Sequence, residues 1–171
     1  SDQRVADRSA QAPAFVAPGP LFEQDAKSQP LQSTGPLQPI DEDALAHMLE
    51  PDGIFAEHFP QFEHRPPQVD MLRAVVQAFN HSGQLLVEAG TGVGKSLAYL
   101  LPAICYAVSN SVRVVISTNT INLQDQLFTK DLPDLHQVLK LKSSTDPSAE
   151  ALANFSAAVL KGRTNYICTR R

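Results

Sequence analysis

The sequence predicts an α/β domain in which helices flank a parallel sheet, preceded by a proline-rich linker. Two apolar strands of the buried type are predicted at residues 84–89 (QLLVEA) and 112–117 (VRVVIS), and each is followed by a helical pattern. Strands that alternate with helices over short connections form parallel sheets with right-handed crossovers. A third strand is predicted at residues 155–160 (FSAAVL), which leads into a basic end.

Helical periodicity and end signals place the helices between these strands. The predicted helices cover residues 41–50, 65–80, 95–108 and 119–132. The second of them has two prolines in its first turn, where they are tolerated. Its apolar stripe, which we assign to the core, consists of Val69, Leu72, Val76 and Phe79. Residues 51–62 are predicted as turn and loop, and residues 141–154 as a polar connection with a short helix.

The first part of the chain differs in composition from the rest. Residues 1–39 hold six of the 13 prolines together with scattered Gln, Ser and Gly. Such a segment buries too little apolar surface to offset its ordering entropy, which is typical of a linker or tail. Residues 40–60 are predicted as a helix and loop that lead into the α/β domain, and residues 61–160 as the domain itself.

Composition and charge exclude several classes of protein. The 171 residues carry a formal net charge of −4, so contact with nucleic acid would need a local basic surface. The longest apolar run, residues 97–108, is shorter than the roughly 20 residues of a membrane helix. Cys105 and Cys168 form no CxxC pair, and we assign Cys105 to the core. Two separate cysteines favour a reducing, cytoplasmic compartment.

A glycine-rich loop between the first strand and the next helix is the strongest functional signal. The loop comprises Ala89, Gly90, Thr91, Gly92, Val93, Gly94, Lys95 and Ser96. Glycines let a backbone wrap closely around phosphate, and the N–H groups of a helix start attract anions. Lys95 can reach the β- and γ-phosphates and the Ser96 hydroxyl can bind Mg²⁺, as in the GxxxxGK[ST] pattern. The sequence departs from that pattern only by Ala89, and it therefore predicts binding of a nucleoside triphosphate.

The loop alone leaves the reaction open. A glycine-rich turn with an exposed lysine is the simplest alternative. Nucleotide kinases, GTPases, transporters and helicases also share such a loop. The loop and its fold therefore do not identify one function. Three further stretches narrow the choice.

The first stretch is residues 62–68 (FEHRPPQ), shortly before the loop. The Gln68 side chain can pair its carbonyl and amide with the N6 and N7 edge of adenine, and a nearby arginine or aromatic ring can stack on the base. Taken by itself, Gln68 is better explained as a polar residue early in a helix.

The second stretch is residues 114–127, in which a buried strand ends in Thr118, Asn119 and Thr120. Hydroxyl, amide and helix-start N–H groups can donate hydrogen bonds to the phosphates of a nucleic-acid strand. Ordinary helix N-capping explains one of these side chains equally well.

The third stretch is the basic end, residues 161–171 (KGRTNYICTRR), with four of the 14 basic residues and no acid. Such a run can hold a nucleic-acid backbone in a salt-dependent way. Cys168 within it can be a cluster ligand only if three partners join it. A free thiol beside a solvated basic tail is the simpler interpretation.

Four blocks in the same order resemble the DinG/XPD-like group of superfamily 2 DNA helicases, of the bacterial DinG type. Residues 88–102 (EAGTGVGKSLAYLLP) resemble its motif I, in which alanine at the first position is usual. Residues 63–68 (EHRPPQ) resemble its Q motif, and residues 117–127 (STNTINLQDQL) its motif Ia. Residues 160–168 (LKGRTNYIC) resemble the approach to the first cysteine of its iron–sulfur domain. The resemblance covers residues 62–171.

This resemblance implies the first RecA-like lobe of a P-loop NTPase, here in part. It also implies ATP hydrolysis coupled to 5′–3′ movement on single-stranded DNA and to unwinding at duplex junctions, as in DNA repair, away from any membrane. Lys95 and Ser96 would handle ATP and Mg²⁺, while Arg65 and Gln68 would recognise adenine. Cys168 would be the first of four ligands of a [4Fe–4S] cluster. The residues implied to contact DNA are Thr118, Asn119, Thr120 and Gln124.

Several parts of the family pattern are absent from the sequence. No DExH motif follows motif I, and the other three cluster cysteines and the second RecA-like lobe with its arginine finger are also absent. We therefore expect an N-terminal fragment whose residues 161–171 begin a truncated iron–sulfur domain. By itself it would not hydrolyse ATP at a useful rate. Some family members carry an N-terminal exonuclease-like domain, and residues 1–60 are the kind of segment that would join it.

Two other functions explain part of the sequence. A P-loop kinase of a small metabolite explains the loop but gives no use for residues 117–127 or the cysteine-bearing end. A nucleotide-binding module without turnover or DNA coupling is the non-enzymatic alternative.

Overall fold

The computed structural model describes residues 35–146, 149–162 and 165. The chain divides into two units, Ser1–Pro30 and Leu31–Arg171, and every described residue belongs to the second. The helices of the described residues are α1 (Glu42–Met48), α2 (Ile54–His58), α3 (Pro66–Asn80), α4 (Lys95–Asn110), α5 (Ile121–Gln126), a π turn (Leu127–Asp131), α6 (Leu132–Thr145) and α7 (Glu150–Ala153). Within these ranges no helix is both long and apolar enough to cross a membrane.

Helix α1 confirms the helix predicted from the acidic start at residues 41–50. The Asp41 carboxylate accepts a hydrogen bond from the Ala44 N–H (3.0 Å), which satisfies one of the donors that a helix start leaves unpaired. The helix buries Leu45 and Met48 in the core. The acids of the first turn are therefore helix-start residues, as predicted, and they also pair with α3.

Helix α2 shows that the prediction of a loop over residues 51–62 was wrong. The helix has only five residues, too few for periodicity to reveal it. Tertiary packing stabilises it instead: Phe55 is 2% exposed, and its ring lies 6.2 Å from that of Phe59 and 6.0 Å from that of Phe62. Gly53 is required before it, because a Cβ there would collide with the carbonyl oxygen of His47.

Helices α3 and α4 form the central pair and confirm the predicted core stripe. Val69, Leu72 and Val76 are buried, and Phe79 packs against the same core while its ring stacks on Tyr106 of α4 (4.7 Å between centroids). Such an aromatic contact adds about 0.5–1.5 kcal/mol beyond the area it buries. The two helices are thus held together along their length.

Helical backbone continues from α5 to the end of α6, further than the predicted end at residue 132. The π turn precedes Pro133, which has no N–H to donate to the carbonyl of Thr129. A wider turn relieves this loss, and the Leu132 N–H accordingly bonds to the Leu127 carbonyl, five residues back. The polar residues 141–145 are helical because Leu135, Val138 and Leu139 anchor α6 in the core. Helix α7 confirms the short helix predicted in residues 141–154.

Two asparagines hold the backbone that precedes α1. Asn80, the last residue of α3, accepts from the Ile40 N–H (2.7 Å) and donates to the Ile40 carbonyl (2.9 Å). Asn110, the last residue of α4, makes the same pair of bonds with Gln38 (2.5 and 3.1 Å). Residues 1–34 of the predicted linker lie outside the described residues, whereas residues 38–40 are attached to the ends of α3 and α4.

The three segments predicted as strands form no strand in the described part of the chain. Each of them has one apolar side chain that is almost fully exposed: Leu86 by 99%, Val115 by 89% and Leu160 by 84%. The sheet predicted from residues 84–89, 112–117 and 155–160 therefore stays a prediction.

Candidate nucleotide-binding site

The glycine-rich loop joins residues 84–89 to the start of α4. Gly94 is the N-cap of that helix, and Lys95 and Ser96 are its first two residues, as the sequence predicts. Gly92 and Gly94 have φ angles of 82° and 79°, which residues with a side chain rarely adopt. Among the described residues, no atom lies within 4 Å of a Cβ built on Gly90 or Gly92. The loop is therefore a backbone cradle that is open above these two glycines.

The Lys95 side chain folds back over the loop. Its Nζ donates to the carbonyl oxygens of Ala89 and Gly90, both at 2.7 Å. An ammonium group has three N–H donors, so a third can be given to a phosphate oxygen held in the cradle. The two backbone bonds hold the positive charge at the mouth of the loop, where a triphosphate would lie.

The Ser96 hydroxyl is within hydrogen-bonding reach of the Tyr99 phenol, one helical turn along α4. Burial raises the pKa of Tyr99, the hydrogen bond with Ser96 opposes that rise, and the charge of Asp131 adds to it. Sequence reasoning missed Tyr99, although a polar side chain three residues after Ser96 lies on the same helix face. Tyr99 can orient the hydroxyl that is predicted to bind Mg²⁺.

The structure brings Gln68 to the loop and leaves Arg65 at the surface. Gln68 lies in the first turn of α3, is 3% exposed, and donates from Nε2 to the Gly94 carbonyl (2.8 Å). Arg65 is the N-cap residue of α3 and pairs with Glu63 (2.8 Å), with 42% of its side chain exposed. Recognition of adenine by these two residues stays a prediction.

The residues predicted to contact DNA surround the start of α5. Thr120 is the N-cap of this helix and accepts from the Leu123 N–H (3.2 Å), so the capping interpretation is confirmed for this residue. Thr118 donates to the Thr120 carbonyl (3.2 Å), while Asn119 is exposed. Their predicted contact with DNA is compatible with these positions and stays a prediction.

A two-point contact joins α5 to the segment before the basic end. Gln124, also predicted to contact DNA, donates from Nε2 to the Leu160 carbonyl (3.0 Å). The next residue, Asp125, pairs with Lys161 (2.8 Å). Sequence reasoning missed this ion pair, because nothing local connects residues 36 positions apart. Lys161 thus lies beside the helix that the sequence assigns to DNA contact.

Of the two cysteines, only Cys105 lies among the described residues. Cys168 lies outside the described residues, so its predicted role as a cluster ligand is not addressed. Cys105 is buried in α4, as predicted, and burial raises the pKa of its thiol to about 12, with a small opposing effect of Lys142. Within the described ranges, no group of three or more His, Cys, Asp or Glu side chains is placed to hold a metal ion.

Comparison with known proteins identifies the family of this chain. A family model described as DEAD/DEAH box helicase matches residues 66–163, from the start of α3 to beyond Lys161. The chain belongs to the DEAD/DEAH box helicase family. Membership implies the P-loop NTPase fold that the loop predicts, although the parallel sheet itself is not seen in the described residues.

Relatives in this family carry helicase and exonuclease names. The chain is 42% identical over 121 residues to ATP-dependent DNA helicase YoaA of Escherichia coli, covering 71% of this chain and 16% of the relative. It is 45% identical over 107 residues to ATP-dependent helicase DinG of Mycobacterium tuberculosis, covering 63% and 15%. It is 35% identical over 113 residues to 3'-5' exonuclease DinG of Bacillus subtilis, covering 66% and 11%. The chain spans less than a fifth of the length of each of these relatives, and no solved structure matches.

Proposed function

We propose that the protein is an ATP-dependent DNA helicase, in which ATP hydrolysis drives movement along single-stranded DNA and separates a duplex. The observation that carries this proposal is the loop at the start of α4, with Lys95 held over the carbonyls of Ala89 and Gly90, in a chain of the DEAD/DEAH box helicase family. The names of its relatives support an ATP-dependent activity on DNA.

The nucleotide would be ATP, held by the loop and α4. The N–H groups of the loop and the start of α4 would bind the phosphates, and Lys95 would neutralise charge that develops during transfer. Ser96, oriented by Tyr99, would bind Mg²⁺, which screens the charge of the triphosphate when bound. The open space above Gly90 and Gly92 supports this arrangement, since a phosphate can approach the backbone there. Arg65 and Gln68 would contact adenine.

The nucleic acid would lie along the start of α5. Thr118, Asn119, Thr120 and Gln124 are the residues proposed to contact the single strand. Lys161 lies beside them in an ion pair with Asp125, and it would have to exchange this partner for a phosphate to contact the strand. Phosphate contacts of this kind are salt-dependent and carry no sequence information.

The finer features rest on the sequence resemblance. We propose movement in the 5′–3′ direction, a role at duplex junctions during DNA repair, and a cytoplasmic location. We also propose a [4Fe–4S] cluster with Cys168 as one ligand. The 3'-5' exonuclease name of one relative supports an exonuclease-like domain fused to proteins of this kind.

The test is ATP hydrolysis by the intact protein with and without single-stranded DNA. We expect DNA to raise the rate. Removing a single preorganised charge-stabilising donor lowers kcat by about 100- to 1,000-fold, so Lys95→Ala should abolish most turnover. The matched control is Lys140→Ala, which removes an exposed lysine from α6.

Two outcomes would contradict the proposal. Turnover that does not depend on DNA would indicate a P-loop kinase or another ATPase without DNA coupling. Equal activity of the Lys95→Ala and Lys140→Ala variants would show that the loop does not serve hydrolysis. Visible absorbance of the same preparation, and its loss in Cys168→Ser, tests the cluster separately.

A further inference from the structure

The side chain of Gln68 is buried at the junction of two helices. It lies in the first turn of α3, is 3% exposed, and reaches the first turn of α4. Burying an amide is unfavourable unless its polar atoms are hydrogen-bonded. Here Nε2 donates to the Gly94 carbonyl at 2.8 Å, across 26 residues of sequence. The bond therefore connects α3 directly to the end of the phosphate loop.

Gly94 is the point where the loop becomes a helix. Its φ of 79° turns the chain so that Lys95 and Ser96 enter α4. The helical bond to its carbonyl, from the Ala98 N–H, is long at 3.4 Å. The bond from Gln68 is shorter and is the stronger of the two. Gln68 thus stabilises the peptide unit that sets the direction of Lys95.

Gln68 also fills the space next to Gly94. A Cβ on Gly94 would collide with Nε2 of Gln68. The amide is therefore packed against the loop backbone as well as hydrogen-bonded to it, and in this position it faces the loop rather than solvent.

Helix α3 is a rigid support for this amide. Arg73 of α3 pairs with Glu42 (2.9 Å) and Asp43 (2.7 Å) of α1. At the far end of α3, the Phe79 ring stacks on Tyr106 of α4. Since α3 is tied to α1 through Arg73 and to α4 through Phe79, Gln68 does not need a bound base to keep its position.

We propose that Gln68 is a positioning residue that holds Gly94, and through it Lys95 and Ser96, in the geometry that binds a triphosphate, whatever base the nucleotide carries. This inference rests on the proposed function of the loop. It adds to the predicted recognition of adenine a role that does not depend on the base. A base contact and a loop contact make different predictions for ligands that lack adenine.

The experiment measures binding of ATP, GTP and inorganic tripolyphosphate to the intact protein in its wild-type, Gln68→Met and Gln77→Met forms. Methionine keeps the size of glutamine but removes the donor. Gln77 is exposed on the same helix, so its variant is the matched control for a change in α3 stability. We expect Gln68→Met to weaken the binding of GTP and of tripolyphosphate, which lack adenine, by about tenfold, which is typical of one lost hydrogen bond. ATP binding should weaken by at least the same factor, because the proposed adenine contact is lost as well, and Gln77→Met should leave the affinity for all three ligands unchanged.

Three results would overturn the inference. A loss confined to ATP would make Gln68 a reader of adenine only and would leave the proposed function intact. Unchanged binding of all three ligands would show that the Gly94 bond has no role in binding. Failure of the wild-type protein to bind any of the three would overturn both the inference and the proposed function. Should Gln68→Met fail to fold, Gln68→Leu, which is also uncharged and has no donor, provides the same test.

Discussion

Three glycines of the glycine-rich loop differ in what an added methyl group would meet, and substitution by alanine should separate these effects. Gly90 has no positive φ, and a Cβ there would meet no described atom within 4 Å. Gly92 has a φ of 82° with the same open space. Gly94 has a φ of 79°, and its Cβ would collide with Gln68. The series therefore adds backbone strain first and steric conflict second.

The expected magnitudes follow from these differences. Gly90→Ala should stabilise the fold by about 0.4–1 kcal/mol, because alanine reduces the entropy of the unfolded chain. Gly92→Ala should destabilise it by about 1–2 kcal/mol, the usual cost of a left-handed conformation for a residue with a Cβ. Gly94→Ala carries the same strain and also displaces the Gln68 amide, whose lost hydrogen bond costs about 1–3 kcal/mol more. Its total should be about 2–5 kcal/mol.

Hydrogen exchange of the intact protein is the suitable assay, since a long protein need not unfold in one step. Peptides that cover α3 and α4 report the free energy of opening of this part of the fold alone. Equal destabilisation by Gly92→Ala and Gly94→Ala would refute the contact between Gln68 and the loop. Destabilisation by Gly90→Ala as large as that by Gly94→Ala would refute the loop conformation itself.

Two further predictions concern the hydrogen bonds between Asn80 and Ile40 and the buried thiol of Cys105. The Asn80→Ala substitution removes both hydrogen bonds to the Ile40 backbone and should lower the free energy of unfolding by about 1–3 kcal/mol. Proteolysis near residue 40 should then be faster than in the control variant Asn122→Ala, which replaces an exposed asparagine. Burial raises the pKa of Cys105 from 9.0 to about 12, so the folded state keeps its proton where the unfolded state loses it. The contribution of Cys105 to the free energy of unfolding should then be fully present below pH 9 and should fall between pH 9 and 12. Alkylation of this thiol at neutral pH should require unfolding, and rapid alkylation of the folded protein would contradict this.

The helices that could be predicted are those with strong local signals. Helix α3 has prolines at its start and an apolar stripe, and the structure begins it one residue after the predicted start and ends it at the predicted residue. Helix α4 follows the glycine-rich loop as predicted, with Lys95 as its first residue. In both cases the information lies within one helix length of sequence, so propensity and periodicity suffice to reveal it.

The features that could not be predicted depend on residues far apart in the chain. Helix α2 exists because Phe55 is buried among other aromatic rings, which no five-residue pattern reveals. The extension of α6 through polar residues depends on the burial of Leu135 and Leu139. The pairing of Asp125 with Lys161 likewise joins segments that the sequence separates. Tertiary contacts override local propensity in each of these cases.

The sequence by itself determined the glycine-rich loop, the helix that follows it and the family of the chain, because these depend on the order and spacing of a few residues. The tertiary structure alone decided where Gln68 lies. Its sequence context allows a polar residue early in a helix or a reader of adenine. Only the packing of α3 against α4 brings its amide within 2.8 Å of the Gly94 carbonyl, where burial makes that hydrogen bond obligatory.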